Sequence, residues 1–330
     1  MNIKNRIFSI ITLAALGVSA LGLASFSPFS ERVSAGLTNS AATSTVIATG
    51  LNNPRGLNFG PDGGLYVAEA GIGGPGPCAE GPEGPRCYGP TGSVARVDLS
   101  TYAFTRVATG LVSLATDGQF ATGIHDISFL GNGNVHMTTG FGGHPSGRAD
   151  FGPGADDLAR VVRLRGNGSW SMETDLGLYE AANNPTGDEV DTNPYGILSL
   201  PGKQVVADAG ANALNQIAAN GTVSTLATFP DRLVDAPPFL ELPPGTQIPM
   251  DTVPTSVALG PDGYYYVGQL TGFPFPVDGA YIYRVSPQGG APEIFATGFT
   301  AVIDVAFGPD GSLYVTDDAA GLVYRLTPGS

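Results

Sequence analysis

The sequence has few of the residues and motifs that mark most catalytic sites. Its 330 residues include three histidines, two cysteines and one tryptophan, and charged residues make up only 13%. It contains no Gly-x-Ser-x-Gly elbow, no His-Glu-x-x-His helix and no EF-hand loop. These absences exclude the hydrolases and calcium sensors that such motifs identify. A calcium site assembled from scattered loop carboxylates and carbonyls needs none of them.

The composition that remains is apolar, acidic and rich in turn residues. Hydrophobic residues make up 42%, which is enough for a packed core and argues against disorder. The 48 glycines and 27 prolines fit many short strands joined by tight turns. The formal net charge is −14, so the surface repels nucleic acid and anionic lipid, and we expect no nucleic-acid partner.

One phrase recurs along the chain: an apolar strand, a Gly-Pro-Asp-Gly turn and a second strand containing tyrosine. An Asp-Gly turn between two apolar runs predicts a β-hairpin, and repetition at intervals of tens of residues predicts a blade array. Three clear and two degenerate copies are visible: Phe59–Val67, Ile127–Met137, Ile197–Ala207, Leu259–Val267 and Phe307–Val315. Each is followed by a predicted third strand: Ser93–Val97, Leu158–Val162, Ala213–Ile217, Tyr281–Val285 and Leu322–Leu326.

A fourth strand per unit completes the blade of an all-β propeller. It ends in Ala-Thr-Gly at Ala108–Gly110 and at Ala296–Gly298. The segment Thr45–Gly50 has the same ending but precedes the first unit, and the last unit stops after its third strand. We therefore predict that this N-terminal strand completes the last blade and closes the ring, which would remove exposed sheet edges.

The first 35 residues predict an export signal and a short leader. Lys4 and Arg6 precede an apolar run from Ile7 to Ala20, and small residues follow it as cleavage sites. A retained membrane anchor is the alternative. Residues 36–330 are predicted to form a single propeller domain, exported to the periplasm or the exterior, with no membrane span after cleavage.

Two cysteines, Cys78 and Cys87, flank a Gly- and Pro-rich loop. In an oxidising compartment we expect them to form a disulfide. A metal site is the alternative, but no second Cys or His pair lies nearby.

Equivalent positions of the blades should converge on the central channel. One set, just inside each first strand, is Gly56, Asp126, Gly196, Ser256 and Asp304, preceded by Arg55, His125, Tyr195, Thr255 and Ile303. A second set, at the end of each second strand, is Glu69, Thr139, Asp208, Gln269 and Asp317. These residues could bind a cation or a polar molecule, and His125 could act as acid, base or ligand. The alternative for the recurring acids is that they accept backbone hydrogen bonds in the next turn.

Two segments outside the repeats, and one inside the fourth unit, could cover one mouth of the channel. The first is rich in Asn and acids, and the others are rich in Pro and Phe: Glu180–Tyr195, Asp231–Met250 and Gly268–Pro276. We predict that Gln269, Phe273 and Phe275 belong to a rigid ligand-binding rim. Packing of these loops over the ring is the alternative.

Several of these segments together resemble the ScyD/ScyE family. They are Pro54–Leu57, Cys78–Ser93, Glu180–Tyr195, Pro243–Met250 and Val253–Pro276, and the resemblance covers essentially the whole chain after the leader. That family is named for exported proteins encoded with the biosynthesis of the pigment scytonemin, so the resemblance implies export and a link to secondary-metabolite handling. A more remote resemblance to NHL and TolB-like propellers implies six blades rather than the five visible repeats.

Two functions follow as hypotheses. The first is a monomeric module that binds a small molecule or a partner protein. The second comes from the resemblance to gluconolactonase-like propellers, and is a metal-dependent lactonase or related hydrolase. It would hold a divalent Ca, Zn or Mn ion in the channel by Glu69, Asp126, Asn193, Asp208 and Asp304.

Overall fold

The computed structural model describes residues 45–81, 84–131 and 133–327. The predicted signal and leader, residues 1–35, and the segment 36–44 lie outside this part of the chain. The described residues form an all-β propeller, as predicted, with five blades that correspond to the five repeats. A sixth blade is not among them. Among the same residues, no helix is both long and apolar enough to span a membrane.

Each blade is an antiparallel sheet whose strands follow one another in the chain. Blade 1 contains β1 (Pro54–Phe59), β2 (Leu65–Glu69), β3 (Cys78–Ala79), β4 (Arg86–Val97), β5 (Phe104–Thr116) and β6 (Gln119–Thr122). Blade 2 contains β7 (Ile124–Leu130), β8 (Asn134–Thr139), β9 (Arg160–Leu164) and β10 (Trp170–Asp175). Blade 3 contains β11 (Pro194–Leu200), β12 (Lys203–Asp208), β13 (Ala213–Ala218) and β14 (Val223–Thr228).

The last two blades follow a short hairpin of β15 (Arg232–Asp235) and β16 (Gln247–Met250). Blade 4 contains β17 (Pro254–Leu259), β18 (Tyr265–Gln269), β19 (Ala280–Val285) and β20 (Glu293–Phe299). Blade 5 contains β21 (Val302–Phe307), β22 (Leu313–Asp317) and β23 (Leu322–Leu326), and the described residues give it no fourth strand.

The register of the first two strands separates the molecule into two faces. Pro54 lies opposite Glu69 and Val302 opposite Asp317, so every first strand begins where its second strand ends. Connections at those points all emerge on one face, which we call the insertion face. The Gly-Pro-Asp-Gly turns lie on the opposite face, which we call the turn face.

The insertion face carries the irregular segments. They include the short 3-10 turns Pro145–Phe151 and Pro153–Asp157 and the α-helix α1 (Leu176–Asn183), whose N terminus is capped by the Asp175 carboxylate accepting from Leu178 N at 2.8 Å. Phe141 and Phe151 pack in an apolar cluster with Leu114 of the long strand β5. The insertions therefore have a core of their own.

A disulfide joins Cys78 to Cys87, as predicted. It links β3 to β4, where the two cysteines are directly opposite each other. The bond fixes the base of the Gly- and Pro-rich loop on blade 1.

Apolar layers hold neighbouring blades together. Val94 of blade 1 packs with Ile127 of blade 2, and Leu214 of blade 3 packs with Tyr265 of blade 4. Ile282 of blade 4 packs with several apolar side chains of blade 5. In the described part of the chain, blades 2 to 4 therefore bury one face against the preceding blade and the other against the following blade.

The third strand of blade 2 differs from the sequence interpretation. It begins at Arg160 instead of Leu158, and Arg163 lies opposite His136 as Arg96 lies opposite Tyr66. The reason is an inserted turn: Ala159 has a left-handed φ of 56° and ends the loop one residue before the strand.

The N-terminal segment does not pair with the last blade. Residues 45–50 form no strand, and Ile47 to Thr49 line a shallow pocket together with Tyr102 and Phe104 of blade 1. Arg106 Nη2 donates to the carbonyl of Gly50 at 2.8 Å. The predicted ring closure by Thr45–Gly50 is therefore absent from the described residues, because this segment is held beside blade 1 and not beside β23.

Candidate functional site

The predicted channel residues lie at an irregularity in strand pairing near the start of each first strand. Every first strand shifts register just after its first residue, between Pro54 and Leu57 in blade 1 and between Ile124 and Asp126 in blade 2, with equivalents in the other blades. Such bulges re-aim side chains. Arg55, His125 and Tyr195 occupy these breaks, and sequence equivalence alone located them.

His125 lies at the centre of this group. It is buried, its ring centroid is 4.6 Å from that of Tyr195, and its Nδ1 is 3.1 Å from the carbonyl of Pro194. Because a carbonyl only accepts, Nδ1 carries the proton. Burial, with the charge of Arg55, lowers the pKa of His125 to about 3. The imidazole is therefore neutral near pH 7 and has no proton to give from Nε2.

Arg55 is exposed beside His125. Its Nη2 donates to the carbonyl of Ala121 at 2.7 Å, and the side chain is otherwise open to solvent. The group can attract an anionic or carbonyl-bearing molecule. Its assignment as a ligand residue stays a prediction.

Asp126 links two first strands. One carboxylate oxygen accepts from Ile127 N at 2.8 Å, and the other accepts from Ile197 N of blade 3 at 2.9 Å. Removal from bulk water raises the pKa of Asp126 to about 7, and the nearby charge of Asp304 adds to the rise. Asp304 itself accepts from Val305 N at 2.8 Å. The first strands are tightly packed here, since a Cβ at Gly56 would lie 2.9 Å from Cα of Asp126.

In three blades, the acidic residue at the end of the second strand accepts hydrogen bonds from the segment that leads into the first strand of the same blade. Glu69 accepts from Asn52 N at 2.6 Å and also binds Ser93 and Arg106. Asp208 accepts from Asn193 N at 2.6 Å and from Thr192 Oγ1 at 2.8 Å. Asp317 accepts from Thr300 N and Ala301 N. Glu69, Asp208 and Asp317 thus make the backbone hydrogen bonds that the sequence analysis named as the alternative to ligand binding.

Several of the predicted metal ligands accept hydrogen bonds within the protein. Asn193 uses its side-chain oxygen to accept from Phe141 N at 3.1 Å, and the carboxylates of Glu69 and Asp208 are occupied as described. In the described part of the chain, no three His, Cys, Asp or Glu side chains are grouped so that they could hold a metal ion. The assignment of Glu69, Asp126, Asn193, Asp208 and Asp304 as metal ligands stays a prediction.

Helix α1 carries a buried acidic residue, Glu180, which the sequence analysis did not predict as a site residue. Glu180 is 1% exposed, and neither carboxylate oxygen has a hydrogen-bond partner among the described residues. Burial, with the charges of Asp208 and Asp191, raises the pKa of Glu180 to about 7. Asp191 accepts from Gly143 N at 2.6 Å, and burial raises its pKa too. The signal in the sequence was the density of acids between Glu180 and Tyr195.

Three phenylalanines lie together in the segments from which the rim was predicted. The ring of Phe273 lies 6.0 Å from that of Phe239 and 6.3 Å from that of Phe275, and both contacts are edge to face. Phe239 and Phe275 are each more than half exposed. We call these three residues the aromatic platform. Sequence reasoning named Phe273 and Phe275, and Phe239 was in a segment that it singled out.

Gln269, predicted as a rim residue, does not face solvent. It is buried, and its side-chain oxygen accepts from Tyr281 N at 3.0 Å. Arg232 stacks on Tyr281, with the guanidinium carbon 3.7 Å from the ring centroid, and donates to the carbonyl of Gly279. These contacts tie the loop that carries Phe273 and Phe275 to the β15–β16 hairpin. Arg232 was not predicted, because its partners are distant in sequence.

No protein-family model matches the chain, and no curated protein matches it either. The ScyD/ScyE resemblance therefore remains a prediction.

Solved structures match at the level of the fold. Virginiamycin B lyase from Staphylococcus aureus matches with 12% identity and a TM-score of 0.46, over 84% of this chain and 71% of that one. A gluconolactonase from Xanthomonas campestris matches with 13% identity and a TM-score of 0.47, over 82% and 71%. An auxiliary nutrient binding protein from Bacteroides thetaiotaomicron matches with 13% identity and a TM-score of 0.48, over 84% and 56%. Matches this distant carry no information about activity.

Proposed function

We propose that the protein is an exported β-propeller that binds a small aromatic molecule on the aromatic platform. The observation that carries the proposal is the set of three phenylalanine rings in edge-to-face contact with two of them more than half exposed. Contiguous apolar surface on a soluble protein marks a binding site more often than isolated exposed residues do. Aromatic rings are the partners that such a surface favours.

The platform is held in place before a ligand arrives. Pro237 and Pro238 precede Phe239, and Pro274 and Pro276 flank Phe275, so the backbone around both exposed rings has little freedom. The Arg232 contact with Gly279 anchors the same loop. A rigid site loses little conformational entropy on binding, which favours affinity.

The surrounding charge selects among aromatic molecules. Asp235, Glu241 and Asp278 are exposed on the segments that carry the platform, and the chain has a net charge of −14. An anionic ligand would be repelled, whereas a neutral or cationic one would be tolerated or attracted. The favoured class is therefore a neutral or positively charged aromatic metabolite.

Export and a link to secondary-metabolite handling belong to the same proposal. Export is supported by the leader pattern in residues 1–35 and by the Cys78–Cys87 disulfide, and the metabolite link by the family resemblance.

The test uses three probes that share one ring system and differ in charge: indole, tryptamine and indole-3-acetate. Binding to the purified protein is measured by ligand-observed NMR and calorimetry. We expect tryptamine to bind most tightly and indole-3-acetate most weakly. Phe239→Ala and Phe275→Ala should each weaken binding by about threefold to tenfold, the value of one aromatic contact.

Phe120→Ala is the matched control, since Phe120 is equally exposed but lies on β6 of blade 1. It should leave binding unchanged. If both platform variants bound all three probes as the unsubstituted protein does, the platform would not be the binding site.

A further inference from the structure

A cleft on the turn face lies between blades 1 and 2. It has a volume of about 380 Å³ and is bounded by the Gly-Pro-Asp-Gly turn of blade 1 and the β9–β10 hairpin of blade 2. Its lining is mainly apolar and includes Tyr66, Val107, Phe129, Val135 and Leu164. The volume is at the lower end of the range for small-molecule pockets, about 300–1,000 Å³, and suits a molecule with one ring.

The equivalent space between blades 4 and 5 is filled by larger side chains. In β5 and in β20 the pairing with the third strand skips one residue, which is Val107 in blade 1 and Phe295 in blade 4. Val135 of blade 2 has the position that Leu313 has in blade 5, and Leu313 is 1% exposed. The cleft is therefore open because two positions of the repeat carry valine.

The tyrosine beside this position shows what kind of group fits. Tyr66 contacts Phe129 of the next blade, with ring centroids 4.8 Å apart. Tyr266 contacts Phe307 of its own next blade at 4.9 Å, and the ring of Phe295 also meets Tyr266 edge to face, at 4.8 Å. Tyr266 is 6% exposed, whereas Tyr66 is only partly buried. The site beside Tyr66 is thus one phenyl ring short of the arrangement in blades 4 and 5.

The charge at the cleft is locally positive. Arg165, at the start of the β9–β10 turn, lines the cleft and is exposed, and its guanidinium has no hydrogen bond or ion pair within the described part of the chain. Asp62 also lines the cleft, but its carboxylate accepts from Arg96 Nε at 2.7 Å and is neutralised by it. The cleft therefore presents one uncompensated cation, although the whole chain is acidic.

We propose that this cleft binds a small molecule in which a short chain joins one phenyl ring to a carboxylate. The ring packs against Tyr66 as the ring of Phe295 packs against Tyr266, an edge-to-face contact that adds to the burial of apolar surface. The carboxylate accepts hydrogen bonds from Arg165. A planar guanidinium donates two parallel hydrogen bonds to a carboxylate, so it recognises this group better than a hydroxyl.

The cleft is separate from the aromatic platform in place and in charge preference. The loop that carries Phe273 and Phe275 follows the end of β18 and emerges on the insertion face, whereas the cleft is on the turn face. The platform lies among exposed acids, and the cleft has Arg165. The two sites therefore favour ligands of different charge, and neither proposal depends on the other.

The experiment titrates the purified protein with phenylacetate, phenylpropanoate and phenylbutanoate, and with the alcohols of the same chain lengths. Three lengths cover the reach of the flexible Arg165 side chain. Binding is measured by ligand-observed NMR and calorimetry, and we expect the best carboxylate to bind more tightly than its alcohol. Arg165→Glu should weaken binding of that carboxylate at least about tenfold and leave alcohol binding nearly unchanged, whereas Arg165→Lys should retain part of the affinity.

Val107→Phe tests the position of the ring. It gives blade 1 the residue that blade 4 carries at the same place, so the protein should fold and keep its melting temperature. Because the new side chain fills the cleft, it should weaken binding of the carboxylate at least about tenfold. Val323→Phe is the matched control, since Val323 is 69% exposed on β23 and does not line the cleft. It should leave binding unchanged.

Three outcomes would overturn the proposal. The first is that none of the carboxylates binds. The second is that folded Val107→Phe binds the best carboxylate as the unsubstituted protein does. The third is that Arg165→Glu leaves carboxylate binding unchanged, which would remove the charged contact.

The platform variants separate this result from the proposed function. Phe239→Ala and Phe275→Ala should leave binding of the phenyl carboxylates unchanged, and a loss in both would move these ligands to the platform and overturn the cleft. Arg165→Glu should leave tryptamine binding unchanged. The charge preference of the platform is measured in Val107→Phe, where the cleft is filled and indole-3-acetate has only the platform to bind.

Discussion

Arg284 binds the turn aspartate Asp262 from across the blade, with Nε 3.0 Å and Nη2 2.9 Å from the same carboxylate oxygen. Tyr266 donates its hydroxyl to that oxygen at 3.0 Å. Arg96 with Asp62 and Arg325 with Asp310 repeat the arrangement in blades 1 and 5. The Gly-Pro-Asp-Gly phrase is therefore one half of a structure whose other half is the basic residue of the third strand.

The first glycine of this phrase is required by the tyrosine that follows it. A Cβ at Gly260 would fall 2.6 Å from Oδ1 of Asp262 and inside contact distance of the Tyr266 ring. Gly260→Ala is expected to lower the free energy of unfolding by roughly 1–3 kcal/mol, measured by urea denaturation, because the ring and the carboxylate must move. Gly166→Ala is the control, since no atom lies within 4 Å of its Cβ position. Equal losses for the two variants would contradict the steric explanation.

Because of Glu180, we expect the free energy of unfolding to fall as the pH rises. Its folded pKa of about 7 lies above the ordinary value of 4.5, so the folded state holds the proton more tightly, and this advantage is lost between about pH 4.5 and pH 7. Glu180→Gln is expected to raise the free energy of unfolding by roughly 1–3 kcal/mol at pH 8 and to change it little at pH 4.

Urea denaturation at the two pH values measures the difference. Glu189→Gln is the matched control, because Glu189 is exposed and lies in the same segment. A gain for Glu180→Gln that is the same at both pH values would show that charge burial is not its cause.

For His125 we expect the opposite pH dependence, with a free energy of unfolding that falls as the pH falls. Its folded pKa of about 3 lies below the ordinary 6.5, so its contribution to stability is complete above pH 6.5 and is lost as the pH falls towards 3. In ¹⁵N NMR spectra the imidazole is expected to keep neutral-form shifts from pH 8 to pH 5, with the proton on Nδ1. His125→Gln assigns the signal. A midpoint between pH 6 and pH 7 would mean that the ring is solvated and free to act as an acid or base.

The Cys78–Cys87 disulfide closes a short loop, and its loss is expected to cost roughly 2–3 kcal/mol of unfolding free energy. Replacing both cysteines by serine tests this in urea denaturation. Adding dithiothreitol to the unsubstituted protein should give the same loss and should leave the double variant unaffected. A reductant effect on the double variant would point to a cause other than this bond.

Local features of the fold could be predicted from the sequence, and features between blades could not. The turn phrase is a short-range signal, so it located the hairpins and the equivalence of Glu69, Asp208 and Asp317. The contact of Asp126 with Ile197 N spans 71 residues and depends on how two first strands approach each other. The stacking of Arg232 on Tyr281 and the exposure of Val323 likewise depend on neighbours that no local pattern specifies.

The candidate site divides in the same way. Phe273 and Phe275 were recognised because proline and aromatic residues alternate within a few positions. Glu180 was not recognised, because an acid in an Asn-rich segment normally faces water. Its burial results from the packing of helix α1 against the insertion face.

The order of the five described blades also predicts the order in which parts of the protein unfold. In the described part of the chain, blades 2 to 4 are held by a neighbour on both sides, and blades 1 and 5 by a neighbour on one. In such a nearest-neighbour array, opening costs least at the ends, so unfolding frays inwards and is not simultaneous. Backbone amides of β22 and β23 should exchange with solvent sooner than those of β12 and β13, and the central blade should be the last part to lose its structure.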